Sequence, residues 1–138
     1  LLDYEQRYES YHRKEEKIEF DLEYFNKITK GGLPNKTLNI ALAGTGVGKS
    51  LFMCHVAASV LLQGRNVLYI TLEMAEERIA ERIDANLFDM PIDEISDLPK
   101  EMYKSKLKKI SDLGHKMDGN TSSNDEEEFL DAIKEEMP

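Results

Sequence analysis

The chain has 138 residues, 41% of them hydrophobic and 33% charged, a balance typical of one folded domain and not of a disordered segment. Its net charge of −9 argues at first against a nucleic-acid partner, but most of the acidity lies in residues 118–138, and the near-neutral remainder leaves a DNA partner open. The longest apolar stretch, residues 51–62, is too short for a membrane span, and no secretory signal pattern opens the chain, so we expect a cytoplasmic protein without membrane contact.

The N-terminal residues 1–17 predict a helix with one apolar face. Leu1, Tyr4, Tyr8 and Tyr11 recur every three to four residues among charged neighbours. This face either packs on its own domain or docks on a neighbouring subunit, and the sequence leaves both interpretations open. A mixed apolar pattern follows in residues 18–28 and ends at a glycine turn, residues 31–32.

The central part of the chain alternates strand and helix patterns. Residues 37–43 and 66–72 are short apolar runs typical of buried strands. Residues 49–63 predict a helix that stops at Gly64, and residues 74–89 predict a second helix. The order β-α-β-α without hairpin turns predicts a right-handed crossover, and therefore an α/β fold with a parallel sheet flanked by helices.

The C-terminal part is less regular. We expect a loop at residues 91–99 and a Lys-rich helix at residues 100–113. Residues 118–124 have the composition of a linker, and Asn124 with Glu127 resembles a capping box that opens a short acidic helix.

A phosphate-binding loop joins the first predicted strand to the first predicted helix. Small residues let successive backbone N–H groups turn towards phosphate, and the positive end of the helix dipole points at the same charge. Lys49 is placed to reach the β- and γ-phosphates, and the Ser50 hydroxyl to ligate the Mg²⁺ that bridges them. An alanine stands at the first position, where any small residue suffices. The predicted ATP-binding residues are Ala43, Gly44, Thr45, Gly46, Val47, Gly48, Lys49, Ser50 and Leu51.

Glu73 is the candidate catalytic carboxylate. It follows the second predicted strand, at the carboxyl edge where parallel sheets hold their ligands, and there it could orient and deprotonate an attacking water. A glutamate that merely begins a helix is the competing interpretation. His12, His55 and His115 are far apart and have no second cysteine beside Cys54, so no zinc site is predicted.

These residues resemble the DnaB family of hexameric replicative DNA helicases, and in particular its T-even-type bacteriophage branch. The resemblance covers about the first two-thirds of the chain. It rests on the phosphate-binding loop together with five further stretches, residues 20–21, 26–32, 37–39, 67–74 and 82–86.

The resemblance implies a RecA-like P-loop NTPase core in which Glu73 is the catalytic glutamate and Lys49 contacts the phosphates. It also implies a ring that couples ATP hydrolysis to 5′-to-3′ movement on single-stranded DNA, with primase and a helicase loader as partners. On this basis residues 1–17 form a linker helix that grips the next subunit, residues 18–117 a partial ATPase domain, and residues 118–138 an acidic tail.

The chain also departs from the family pattern. No Walker B aspartate, DNA-binding loop or arginine finger is recognisable after Leu113, so we expect a truncated core without helicase activity of its own. A RecA-like strand-exchange recombinase, and a nucleotide-binding or interface module without turnover, remain as alternatives.

Overall fold

The computed structural model describes residues 3–118, and these divide into two compact units between Val47 and Gly48. The N-terminal unit contains α1 (Tyr4–His12), β1 (Lys17–Ile18), α2 (Glu23–Ile28) and β2 (Leu33–Pro34). The helical unit contains α3 (Lys49–Leu62), α4 (Glu76–Phe88), α5 (Ile92–Ile95) and α6 (Lys100–Asp118). None of the described helices is long and apolar enough to cross a membrane.

Helix α1 confirms the helical pattern at the start of the chain. The Asp3 carboxylate caps it by accepting a hydrogen bond from the Gln6 N–H at 3.5 Å. No residue of α1 is buried, and its tyrosines Tyr4, Tyr8 and Tyr11 are all exposed. The interpretation in which this face packs on its own domain therefore finds no support in the described part of the chain.

Side-chain hydrogen bonds, and a close backbone approach at one glycine, stabilise the rest of the N-terminal unit. Asn26 bridges both backbone groups of Phe20, accepting from its N–H at 2.8 Å and donating to its carbonyl at 2.6 Å. Strands β1 and β2 pair antiparallel, with Ile18 opposite Leu33. Gly32 has φ +115°, and a Cβ there would lie 2.2 Å from the Ile18 carbonyl oxygen, so only glycine fits.

The core of the helical unit lies where α3 packs on α4 and α6. The small side chains Ala57 and Ala58 of α3 are buried, which lets the neighbouring helices approach closely. The other buried apolar residues are Cys54, Ile79, Phe88 and Ile95. Gly64 has φ 76° directly after the last turn of α3, which confirms the predicted glycine stop.

Helix α6 is fixed to α4 around Tyr103. Its hydroxyl donates to the Asp84 carboxylate at 2.8 Å, and its ring meets Phe88 edge-on at 5.4 Å. Burial, and then the bond and charge of Asp84, raise the pKa of Tyr103 to about 12. Burial also raises the pKa of Asp84, while the hydrogen bond from Tyr103 opposes that rise. The Lys106 ammonium lies 5.8 Å from the centre of the Phe88 ring.

The prediction of two strands at residues 37–43 and 66–72 is wrong for this structure. Both segments are irregular, and β1 with β2 forms the only sheet in the described part of the chain. An extended segment becomes a strand only when a neighbour pairs with its N–H and C=O groups, and no described segment does so here. Their apolar side chains are correspondingly open, with Leu42 94% and Leu72 100% exposed. The predicted parallel sheet is therefore not confirmed.

The helix boundaries differ at three places. Helix α4 begins at Glu76 and not at residue 74, and it ends at Phe88, after which Asp89 takes a left-handed conformation with φ 51°. The predicted loop at residues 91–99 contains the single turn α5. Helix α6 continues through Gly114 to Asp118, past the predicted end at residue 113. The predicted acidic helix beyond Asn124 lies outside the described residues.

Candidate nucleotide-binding site

Two glycines of positive φ precede α3, one on each side of the division between the two units. On the N-terminal side of the division at Val47, the Val47 N–H donates to the Gly44 carbonyl at 3.4 Å, and Gly46 has φ 75°. On the other side, Gly48 has φ 102° and ψ 20° immediately before the helix. A Cβ at Gly46 or Gly48 would meet nothing within 4 Å. Glycine is therefore required there by the positive φ and not by crowding from the protein.

The first turn of α3 is suited to an anion. No side chain caps it, and its first helical bond runs from the Phe52 N–H to the Gly48 carbonyl at 2.9 Å. The earlier N–H groups of such a turn lack a carbonyl partner within the helix, and they carry the positive end of the dipole. The turn contains no acidic residue, Lys49 is exposed, and Ser50 is half-buried. These residues fit a phosphate group by both charge and donor set.

Glu73 lies in a turn that a threonine holds. The Thr71 hydroxyl donates to the Met74 carbonyl at 2.8 Å and accepts from the Met74 N–H at 3.2 Å. Glu73 itself is exposed, three residues before α4 begins. The structure thus places Glu73, Lys49 and Ser50 in the same unit, although no direct contact of Glu73 with the other two is observed among the described residues.

The segment before Glu73 contains a tyrosine that the sequence analysis did not single out. Burial alternates along it, with Val67 and Tyr69 half-buried and Leu68 and Ile70 exposed. Tyr69 lies near enough to the buried Cys54 thiol of α3 for that thiol to affect its pKa. Burial first, and then Cys54, raises the pKa of Tyr69, against the charge of Arg82. The continuous apolar run predicted a buried strand, and nothing in it distinguishes this tyrosine from a packing residue.

Helices α3 and α4 are also joined by a polar contact. The Asn86 side-chain amide and the His55 Nδ1 atom lie 2.9 Å apart. Together with the packing of the two helices, this contact fixes the face of α4 that meets α3.

Comparison with known proteins identifies the family of the chain. Residues 5–136 match the family model described as the AAA domain. The chain belongs to the AAA domain family. A P-loop NTPase fold is what this family membership indicates.

One relative gives a finer comparison. The chain is 51% identical over 109 residues, 78% of its length, to the DnaB-like replicative helicase of Enterobacteria phage T4. It spans 23% of that relative's length. The resemblance to the DnaB family is thereby confirmed.

Proposed function

We propose that residues 43–51 bind the phosphates of ATP. The observation that carries this proposal is the uncapped start of α3 behind two glycines of positive φ, with Lys49 exposed beside it. Backbone N–H groups and the helix dipole supply the anion site, and Lys49 adds a full positive charge to it.

Ser50 is the candidate magnesium ligand. Its hydroxyl stands in the first turn of α3, next to Lys49, and it is half-buried. A Mg²⁺ ion held there would supply positive charge against the negative charge that develops on the phosphates. The role of the chain is to place the Ser50 oxygen at the same helix start that binds the phosphates.

Glu73 is the proposed general base. Exposure leaves its carboxylate accessible to water, and the Thr71 bonds fix the backbone on which it stands. Its role is to orient and deprotonate the water that attacks the γ-phosphate. Lys49 and Glu73 thus divide the work, the lysine binding the nucleotide and the glutamate serving turnover.

At the level of the whole protein, we propose the ATP-binding segment of a phage replicative helicase that unwinds duplex DNA in the 5′-to-3′ direction. The identity to the phage T4 helicase supports this over a strand-exchange recombinase. The corresponding partners are single-stranded DNA, a primase and a helicase loader, in a hexamer in the cytoplasm of the infected cell.

A nucleotide-binding module without turnover of its own is the second candidate. The open apolar segments favour it, because Leu42 directly precedes the phosphate-binding loop and Leu72 directly precedes Glu73. Neither segment is held in a sheet, so the catalytic carboxylate lacks the rigid support that strands give a site.

Phosphate release in the presence of single-stranded DNA separates these two functions. Lys49→Ala is expected to abolish nucleotide binding, whereas Glu73→Gln keeps binding and loses turnover. Glu77→Gln, an exposed carboxamide change in the first turn of α4, is the matched control and should leave both intact. Equal loss of nucleotide binding in the Lys49 and Glu73 variants would contradict the separate roles proposed for the two residues. Nucleotide binding without turnover in the unaltered chain would favour the second candidate function.

A further inference from the structure

Residues 66–72 have the side-chain alternation of a β-strand but no partner strand. The odd-numbered residues Val67, Tyr69 and Thr71 are half-buried, whereas the even-numbered residues are exposed. This period of two is that of an extended chain. In the described part of the chain no segment pairs with it, since the only sheet there joins β1 to β2. An unpaired extended chain is a template for pairing with another one.

The composition of the segment suits pairing between strands. It contains no charged residue, no proline and no glycine, and Val67, Ile70 and Thr71 are β-branched. Its outward side chains are open, with Leu68 86% and Ile70 75% exposed. Exposed segments that are uncharged and rich in β-forming residues associate with other strands. The partner that this surface fits is consequently another extended, uncharged segment.

The charges at the two ends favour a second copy of the same segment as that partner. Arg65 precedes the segment and Glu73 follows it, so the ends have opposite charge. When two copies pair antiparallel about Tyr69, Arg65 of each copy comes near Glu73 of the other, whereas a parallel, in-register pair sets like charges side by side. Arg65 also interacts within its own chain, so this attraction selects the direction of pairing and is not its main source of stability.

The second open segment, residues 37–43, lacks this complementarity. It is equally exposed, with Leu38 87% and Leu42 94% accessible. Lys36 precedes it, but Gly44 follows it, so antiparallel self-pairing would set the lysine against an uncharged residue. This segment therefore provides a matched control.

We propose that the chain self-associates into a two-fold dimer in which residues 66–72 of two copies pair antiparallel, centred on Tyr69. Leu68 of each copy then lies opposite Ile70 of the other. The two-fold axis makes both halves of the interface equivalent and closes the assembly at two copies. The dimer belongs to the chain of 138 residues, is separate from the hexamer proposed for the whole protein, and does not depend on nucleotide binding or hydrolysis.

Sedimentation velocity of the chain tests for the dimer. Because the interface is small, we expect the mass to rise from 15.8 kDa towards twice that value as the concentration is raised from about 10 µM to about 1 mM. Leu68→Lys places a charge beside Ile70 of the other copy and should raise the dimer Kd by about tenfold or more. Leu38→Lys, the same change at an equally exposed leucine of the control segment, should leave the Kd unchanged. A monomer at every concentration, or equal weakening by the two variants, would overturn the inference.

Charge reversal tests the direction of pairing. Glu73→Arg sets like charges at both ends of the antiparallel pair and should raise the dimer Kd by about threefold to tenfold. Adding Arg65→Glu restores opposite charges and should recover the dimer. Association through general apolar contact would not respond in this way, so a double variant of unchanged Tm that fails to recover contradicts the antiparallel arrangement.

Disulfide trapping reads the register directly. Chains with Leu68→Cys and chains with Ile70→Cys are mixed, and the mixed disulfide should form faster than either disulfide between like chains. The reason is that opposite Cβ atoms of an antiparallel pair lie about 4.5–5.5 Å apart, and diagonal ones lie farther apart. The natural Cys54 is buried and present in every sample, so its background is common to all of them. Faster trapping of like chains would show a parallel pair, and equal rates would show no register; either result would overturn the inference.

Discussion

The two ends of α3 offer a test of whether the glycine before the helix serves nucleotide binding or merely folding. Gly48 precedes the helix with φ 102°, and Gly64 follows it with φ 76°. An alanine that keeps either backbone conformation must adopt a positive φ, which costs on the order of 1–2 kcal/mol. Gly64→Ala is therefore expected to lower the free energy of unfolding of the helical unit by about this amount, whereas Gly48→Ala should lower it less, because the loop before the helix can relax.

Nucleotide binding should separate the two variants. A Cβ at Gly48 would meet no protein atom within 4 Å, so an alanine there has the freedom to relax away from the positive φ in the unbound chain. Binding then has to restore the strained loop. A cost of about 1–2 kcal/mol corresponds to a loss of ATP affinity of about five- to thirtyfold. Gly64 lies at the far end of a helix of 14 residues, and Gly64→Ala should bind ATP as the unaltered chain does.

Two measurements check this prediction. Urea unfolding followed by circular dichroism gives the two stabilities, and calorimetric titration with MgATP gives the two affinities. Equal loss of affinity in both variants would refute the reasoning, because binding would then report the stability of α3 and not the shape of its first turn. Unchanged affinity in Gly48→Ala would refute it as well.

Three further predictions concern the contacts that hold each unit. Asn26→Ala leaves both backbone groups of Phe20 without their side-chain partner and should destabilise the N-terminal unit by about 1–3 kcal/mol in urea unfolding, whereas Asn26→Asp keeps the acceptor and should cost less. The pKa of Tyr103 is raised to about 12, so the contribution of Tyr103 to the free energy of unfolding is complete below about pH 10 and is lost as the pH rises through 12. Tyr103→Phe should lower the free energy of unfolding at neutral pH by about 1 kcal/mol. The variant should also lose less stability than the unaltered chain between about pH 10 and about pH 12. An unaltered alkaline unfolding curve in that variant would contradict the assignment. Thr71→Val deletes both bonds to Met74 and should speed hydrogen exchange of the Met74 amide by about fivefold, a loss of about 1 kcal/mol, while a rate equal to that of the unaltered chain would show that the turn does not depend on the hydroxyl.

The sequence predicted α3 well because its signals are local. A glycine of positive φ stands at each end, at Gly48 and Gly64, and the apolar residues between them are buried against neighbouring helices. The predicted end of the last helix at residue 113 was wrong, because α6 continues through Gly114 to Asp118, and a helix interior tolerates a single glycine at a cost of only about 1 kcal/mol.

The predicted strands failed for a different reason. An apolar run indicates that a segment suits a sheet, but strand formation also needs a hydrogen-bonding neighbour, and that requirement is not local. Residues 37–43 meet no such neighbour in the described part of the chain, and Leu38, Ile40 and Leu42 remain exposed. These residues are exposed because no described strand pairs with their segment, although the segment is as apolar as the sequence analysis stated.

The residue types of the candidate site were predictable from the sequence, but the contacts that stabilise the surrounding structure were not. The spacing of Gly48, Lys49 and Ser50 predicts an anion site from sequence alone, because adjacent residues at a helix start would form it. The Asn86 contact with His55 joins residues 31 positions apart, on α4 and on α3. Such a contact depends on how the two helices pack, which no periodicity in the sequence encodes.

The central claim is that the start of α3 binds the phosphates of ATP with the help of Lys49. Calorimetric titration of the chain with ATP, with and without Mg²⁺, tests it most directly when Lys49→Ala is measured beside the unaltered protein. The account predicts saturable binding that Mg²⁺ strengthens and that Lys49→Ala abolishes. Equal binding by the two proteins, or no binding by the unaltered chain, would contradict it.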